Sequence, residues 1–494
     1  MPLCSKSFDF LSCNYLLGLE DLTLDYCYGF EEFKLSSHSI KHLSILNDDK
    51  AIKAAIDAPN ITDKVLGMGK ACGDSIFLPA ADGSMDRISE LPQAILHHIL
   101  SFLSQDEAAE TSLLSKSWNY VWSTRPNIEF REKWFHGDKE KFMSVLNKTL
   151  QGYHDQNLCV HEFLVEMSRV DSEIVLLLEK WIPRVVLNMG VKKFSLYNYS
   201  KIAVYFDLPS VVFEAKALQK LYLYGCKLNP KPLDKVLFKH LKTLSLEQAY
   251  ITDETFEKII SSCHLIEYVI LDRCEGLRTI KVNENHKYLK DFQLKEVHDV
   301  SIEIDAPTLE TFKIVCNVKW FHQHNYFPHL KSLYLYMVRL SSKSFDFFSC
   351  NFPCLEELRV YLCYGFKQFR LISRSIKHLG ICGTEEQSIK ATIDTPNIVE
   401  FEYEGDIPRS LSFTTTFSEW KSKIYLITSH ASSSSWFLKL YDSLSQSEIS
   451  LNLFQQYPPD RVVVEPDIDN IYGDGLCKPV VVEDLHLNFS RIIF

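Results

Sequence analysis

The sequence predicts a mixed α/β chain: a small helical unit followed by a curved solenoid of short strands, with a parallel sheet on its concave face. Three observations carry this. An apolar triplet at i, i+3, i+5 recurs every twenty-odd residues over most of the chain. A segment near residue 100 switches to helical spacing. The 494 residues suffice for several domains of about 150 residues, or for one long repeat array.

The triplet reads Leu-x-x-Leu-x-Leu, sometimes followed by x-x-Cys, with conservative exchanges. It begins at Val191, Phe194, Leu196 and continues at Leu218, Leu221, Leu223, then Leu241, Leu244, Leu246, then Ile266, Val269, Leu271. Leu289, Phe292, Leu294 follow, then Leu309, Phe312, Ile314 and Leu330, Leu333, Leu335. Leu355, Leu358, Val360 come next, then Ile376, Leu379, Ile381 and Ile398, Phe401, Tyr403, with Val482, Leu485, Leu487 as a late outlier. From Leu218 to Ile398 the steps are 23, 25, 23, 20, 21, 25, 21 and 22 residues. Alternate apolar positions give a short strand one buried face. One such strand cannot cover that face, whereas stacked copies share a continuous core. Pro307 and Pro396 each stand just before a triplet, where a residue without an N–H does no harm to a ladder. After Glu404 the pattern loosens. The serines 432–435 read as a loop, Trp436–Leu444 as a short helix, and Tyr457–Asp460 and Gly473–Gly475 as turns.

Residues 5–61 nearly duplicate 342–398; 33 of 57 positions are identical when each copy takes a one-residue gap. The match ends at Ile61, and 62–85 reads as a linker. Two repeats rarely stand alone. The segment is read as a displaced copy without a function of its own, from recent duplication or an imperfect gene model. Capping of the main array and poor order are the alternatives. Gly67-Met68-Gly69-Lys70 lacks the phosphate-loop spacing.

A net charge of −11 argues against general nucleic-acid binding and against docking on anionic lipid. No Cys-x-x-Cys occurs among the 14 cysteines, so they read as small buried hydrophobes of a reduced cytoplasmic or nuclear protein. No secretory signal or membrane span is evident. His97 and His98 are adjacent and cannot form an i, i+4 metal pair. His322, His324 and His329 lack a completing cysteine or carboxylate, so no metal, cofactor or catalytic constellation is expected.

Residues 86–130 carry the helical spacing. Leu91-Pro92 precede Ile95, Leu96, Ile99, Leu100 and Leu103. Ser104 to Glu107 has capping-box form, predicting a second helix through Ala108, Thr111, Leu114, Trp118 and Trp122 that ends at Arg125-Pro126. About 45 residues make a small core. On pattern alone, packing on the adjoining repeats and docking of a partner stand even.

The triplets resemble the irregular leucine-rich repeats of plant F-box proteins, and residues 86–130 resemble the F-box that precedes them. That match rests on Asp86 to Pro92, Ile95-Leu96, Ile99 to Leu103, Leu114-Ser115-Lys116, Trp118 and Trp122. The resemblance implies an F-box over 86–130, a repeat solenoid over 131–404, and irregular C-terminal repeats or a cap over 405–494. It further implies a substrate receptor of an SCF-type ubiquitin ligase. Its F-box would bind a Skp-family adaptor, and through it cullin and RING subunits, while the repeats bind a protein target. Catalysis then resides in the partner enzymes. The implied adaptor contacts are Leu91, Pro92, Ile95, Leu96, Ile99, Leu100, Leu114 and Trp118. Ser117 departs from a common arginine, and Gln93-Ala94 from a frequent acidic pair; both bear on the strength of adaptor binding.

Residues between the core positions of each strand face outward on the concave side. Tyrosine and arginine are frequent interface anchors, so Tyr222, Tyr224, Tyr334, Tyr336, Arg359 and Tyr361 are the candidate target contacts; tyrosine also simply favours strands. A ligand-sensing repeat protein without ligase function, and a degenerate family member, are the competing functions.

Overall fold

The computed structural model describes residues 91–100, 102–103, 105–200, 205–228, 236–316, 318, 326–383, 389–405, 408, 410–414, 420–428, 447–455 and 482–488, with five strands between 21 and 67. The chain forms two compact units, residues 76–327 and residues 328–494 together with 1–75.

The first unit opens with three short helices: α1 (Gln93–Leu100), α2 (Gln105–Thr111) and α3 (Lys116–Ser123). One continuous second helix was the expectation. It breaks because the N–H groups of Ser112, Leu113 and Leu114 reach back three residues to Ala109, Glu110 and Thr111, tightening the turn. Ser115 then caps α3, its hydroxyl accepting from the Trp118 N–H at 3.3 Å.

A parallel sheet follows. Its strands are Asn127–Arg131, Glu162–Met167, Lys193–Asn198, Lys220–Tyr224, Thr243–Glu247, Tyr268–Asp272, Asp291–Lys295 and Thr311–Val315. The second and third residues of every triplet from Val191 to Ile314 fall on one of them, and the first stands two residues before the strand. Neighbours pair in register, with Leu221 opposite Phe194 and Leu244, and Leu223 opposite Leu196 and Leu246. The triplet side chains are buried, and the residue between the last two of each triplet is half-buried, apart from the enclosed Ser195. The sheet starts before the first triplet, inside the segment assigned to the F-box, because Ile128 and Phe130 already alternate inward.

Long helices, Lys139–Asp155 and Ser172–Asn188, connect the first strands. The Asp171 carboxylate caps the second, accepting from the Glu173 and Ile174 N–H groups. Later connections are mostly strands as well. Phe206–Asp207, Cys226–Leu228 and Tyr250–Ile251 form one small parallel sheet, and Thr279–Val282 pairs with Ser301–Ile304. This second column went unread in the sequence, although Ile280, Val282, Ile302 and Ile304 alternate and are buried.

The second unit repeats the plan. Ser332–Tyr336, Glu357–Tyr361, His378–Cys382, Glu400–Gly405, Trp420–Thr428, Ser447–Gln455 and Val482–Asn488 pair in that order. Gln368–Ile372, Lys390–Asp394 and Ser410–Phe413 form its second column. The sheet runs on from Val482–Asn488 to Asp21–Asp25, His42–Leu46 and Asp63–Gly67. Asp63–Gly67 is therefore a strand within the stretch read as a linker. The serine run, the helix at 436–444, the turns at 457–460 and 473–475, Ser104 of the capping box, and His322 and His324 lie outside the described residues.

Gly225 shows how tightly successive repeats stack. Its φ is +65°, and a Cβ would stand 2.3 Å from the Asn198 carbonyl oxygen. The Asn198 amide in turn donates to the Gly225 carbonyl at 3.0 Å. Cysteines do a related job. The thiols of Cys274 and Cys363 donate to the carbonyls of Leu246 and Leu335 in the preceding strand. Burial pushes both thiols up to about 12.

Two outcomes follow from this packing. Leu294→Ala, at a fully buried position, should cost about 2–5 kcal/mol, while the outward Gln293→Ala should change little; urea unfolding of both checks it. At pH 8 a thiol with a pKa of about 12 is only roughly 10⁻⁴ ionised. Native alkylation should therefore spare Cys274 and Cys363 and label the exposed Cys159, Cys350 and Cys354, as peptide mapping would report.

Candidate adaptor-binding and target-binding surfaces

The three short helices close a private core. Leu96, Leu100, Ala108, Trp118 and Val121 are buried together, with Leu91, Ile99, Leu103 and Trp122 packed around them. The core is tied to the following helix by the buried Tyr153, whose hydroxyl donates to the Arg125 carbonyl at 2.6 Å. Burial raises the Tyr153 phenol to about 12, so it stays a donor. The Arg125 guanidinium lies 5.1 Å from the centre of the Trp122 ring.

The eight implied adaptor contacts divide. Leu96, Leu100 and Trp118 are interior and hold the helices together; they offer a partner no surface in this arrangement. Leu91 and Ile99 are half-buried and Pro92 is exposed. Ile95 is 45% exposed and Leu114 66%. Phe102 at 76% and Leu113 at 86% exposure are not among the implied adaptor contacts; both fall off the helical stripe, and the tightened turns place them outside. The helical segment therefore keeps its own core and still presents large apolar side chains to solvent, the usual mark of a docking surface.

The outward ladder of each unit is rich in aromatic and charged groups. In the first, Tyr222 and Tyr224 are half-buried on Lys220–Tyr224. Tyr224 meets Tyr199 with ring centroids 4.5 Å apart, and Tyr199 stacks on Tyr197 at 6.1 Å. Arg131 pairs with Glu129 and Glu166, and Arg273 with Glu247 and Asp272. Tyr199, just past its strand, lay outside the sequence ladder.

In the second unit Tyr334, Tyr336, Arg359 and Tyr361 are likewise half-buried. Tyr334 and Tyr361 meet edge to face at 5.5 Å. Tyr361 then crosses a whole strand: its hydroxyl donates to the Glu402 carboxylate at 2.8 Å, passing over Gly380. A Cβ on Gly380 would lie 2.8 Å from that hydroxyl, so glycine leaves the room the ring needs. The Arg359 guanidinium donates to Glu357 at 2.6 Å and to the Tyr361 hydroxyl at 3.3 Å. Burial first, then the bond to Glu402, holds the Tyr361 phenol above its ordinary value.

Among the described residues no three or more His, Cys, Asp or Glu side chains gather as metal ligands, and no helix is long and apolar enough to cross a membrane.

Residues 88–130 match the F-box domain, and residues 178–325 and 312–410 match the repeats described as "FBD-associated F-box protein At5g56370, LRR repeats". Among relatives from Arabidopsis thaliana, F-box/LRR-repeat protein 25 is 30% identical over 213 residues, covering 42% of this chain and 75% of that protein. Putative F-box/LRR-repeat protein At4g00320 is 31% identical over 207 residues, covering 38% of this chain and 40% of that protein. F-box protein At5g03100 is 27% identical over 309 residues, 61% of this chain and 91% of that one. The matched part thus spans less than half the length of At4g00320. The chain belongs to the F-box/LRR-repeat family, an F-box followed by leucine-rich repeats.

The Tyr361 crossing is open to a direct check. Gly380→Val should cost about 1–3 kcal/mol by overpacking, and Tyr361→Phe about 1 kcal/mol by loss of the hydrogen bond. In a double-mutant cycle the phenylalanine should cost little once the larger side chain at position 380 has displaced the ring. Equal cost in both backgrounds would rule the crossing out.

Proposed function

We propose that this protein is the target-recognition subunit of an SCF-type ubiquitin ligase, itself non-catalytic. Its F-box binds a Skp-family adaptor, and through it cullin and RING subunits. Its repeats hold a protein target. The observation that carries the reading is the division inside the F-box, a closed core beside exposed Ile95, Phe102, Leu113 and Leu114. Such side chains suit the grooves that receive amphipathic helices. Burying each contributes roughly 1.5–3 kcal/mol, so four or five anchors match association costs of about 4–15 kcal/mol. Leu91, Pro92 and Ile99 complete the proposed surface. Leu96, Leu100 and Trp118 support it from beneath.

Tyr222 and Tyr224 in one unit, and Tyr334, Tyr336, Arg359 and Tyr361 in the other, are the proposed target contacts. They pair apolar ring area with polar tips at modest entropic cost, as interface anchors do. No nucleic acid, membrane or cofactor enters this reading. It places the protein where SCF ligases act, in the cytoplasm or nucleus.

Purification of the tagged chain, with and without proteasome inhibition, tests both halves. The adaptor should co-purify, and targets should accumulate on the inhibited sample. Ile95→Asp combined with Leu114→Asp should abolish adaptor capture without altering the melting temperature, and Leu91→Ala with Pro92→Ala should abolish it while the repeats stay folded. Leu96→Ala should instead lower that temperature. Full capture by both surface variants would rule out this adaptor surface. Tyr222→Ala with Tyr224→Ala, or Arg359→Ala with Tyr336→Ala, should reduce target recovery while adaptor recovery stays constant.

A further inference from the structure

The N-terminal copy and its original share one backbone plan. Asp21–Asp25 corresponds to Glu357–Tyr361, Glu32–Ser36 to Gln368–Ile372, His42–Leu46 to His378–Cys382, and Lys53–Asp57 to Lys390–Asp394. The second-column pairing is reproduced too, Glu32–Ser36 with Lys53–Asp57 as Gln368–Ile372 with Lys390–Asp394. The correspondence outlasts the sequence match by one strand, since Asp63–Gly67 follows as Glu400–Gly405 does.

The original sits inside an array. Glu357–Tyr361 is paired on one side by Ser332–Tyr336 and on the other by His378–Cys382. A copy of that segment therefore carries a strand suited to pairing on both edges. One edge of Asp21–Asp25 meets His42–Leu46, and the other meets Val482–Asn488, with Leu22 opposite Leu485 and Leu24 opposite Leu487. Apolar ranks meet apolar ranks, as Leu358 meets Leu333 and Val360 meets Leu335 in the original.

Val482–Asn488 is the last strand in sequence among the described residues, and its other edge is taken by Ser447–Gln455. Left uncovered, its outer edge would present unpaired N–H and C=O groups and the end of the apolar core. Such edges template self-association, and repeat arrays need terminal caps. We propose that the displaced N-terminal repeats are the cap of this array, folding back within the same chain to cover the edge of Val482–Asn488. The duplication thus supplied a ready-made part. A segment already shaped to extend the sheet from within can close it from the other end of the chain.

The test uses the full chain. Paired Cα atoms on parallel strands lie about 4.8 Å apart, inside the span of roughly 4.4–6.8 Å usual for disulfides. Thr23 and His486 are such a pair. In a variant with Thr23→Cys and His486→Cys, mild oxidation should link the two positions within one chain, read by non-reducing electrophoresis and peptide mapping against the parent chain. Links between chains, or no link at these positions, would overturn the proposal. Leu22→Asp with Leu24→Asp in the full chain provides a second readout. It should lower the melting temperature and produce concentration-dependent association in light scattering. A monodisperse variant with unchanged melting would overturn the capping role.

Discussion

A five-residue strand with two inward leucines cannot bury them itself, and this constraint governs the whole array. Leu221 and Leu223 are covered because Phe194, Leu196, Leu244 and Leu246 stand at the same ranks on the neighbouring strands. A slip of one residue would turn every leucine outward and every tyrosine inward. Register is therefore fixed by burial, and connections of differing length are tolerated as long as the next strand returns to rank. Buried thiols and Gly225 serve the same requirement, bringing successive turns close enough to share a core.

The F-box solves burial differently. Three short helices enclose Leu96, Leu100, Ala108, Trp118 and Val121, and that small core is also tied to the following helix through Tyr153. The break before Ser115 decides which side chains are exposed. A single continuous helix would run Leu113 and Leu114 along its own length, whereas the tightened turn leaves both in solvent, as Ile95 and Phe102 are. Core and exposed apolar surface are thus made from adjacent residues of one apolar sequence, with backbone geometry deciding which is which.

The outward ladders are built to hold shape rather than to be loose fringe. Tyr361 spans the strand of Gly380 to reach Glu402, and Arg359 braces both Glu357 and that hydroxyl. Partly exposed ion pairs such as Arg359–Glu357 add little stability each. Their effect is to fix side-chain positions, and side chains already held in place would lower the ordering cost of the proposed target binding.

The sequence by itself determined the repeat period, the inward ranks of each strand, the F-box segment and the family, because these are local patterns of a few residues repeated many times. It also exposed the N-terminal duplication. It did not determine the second column of strands, the strand at Asp63–Gly67, or the sorting of Ile95 from Leu96. Adjacent apolar residues look alike in a sequence, and only packing between segments twenty or more residues apart decides which is covered. The destination of the duplicated strands was illegible for the same reason. Their match to 342–398 says what they can pair with, while the pairing with Val482–Asn488 joins opposite ends of the chain and exists only in the folded structure.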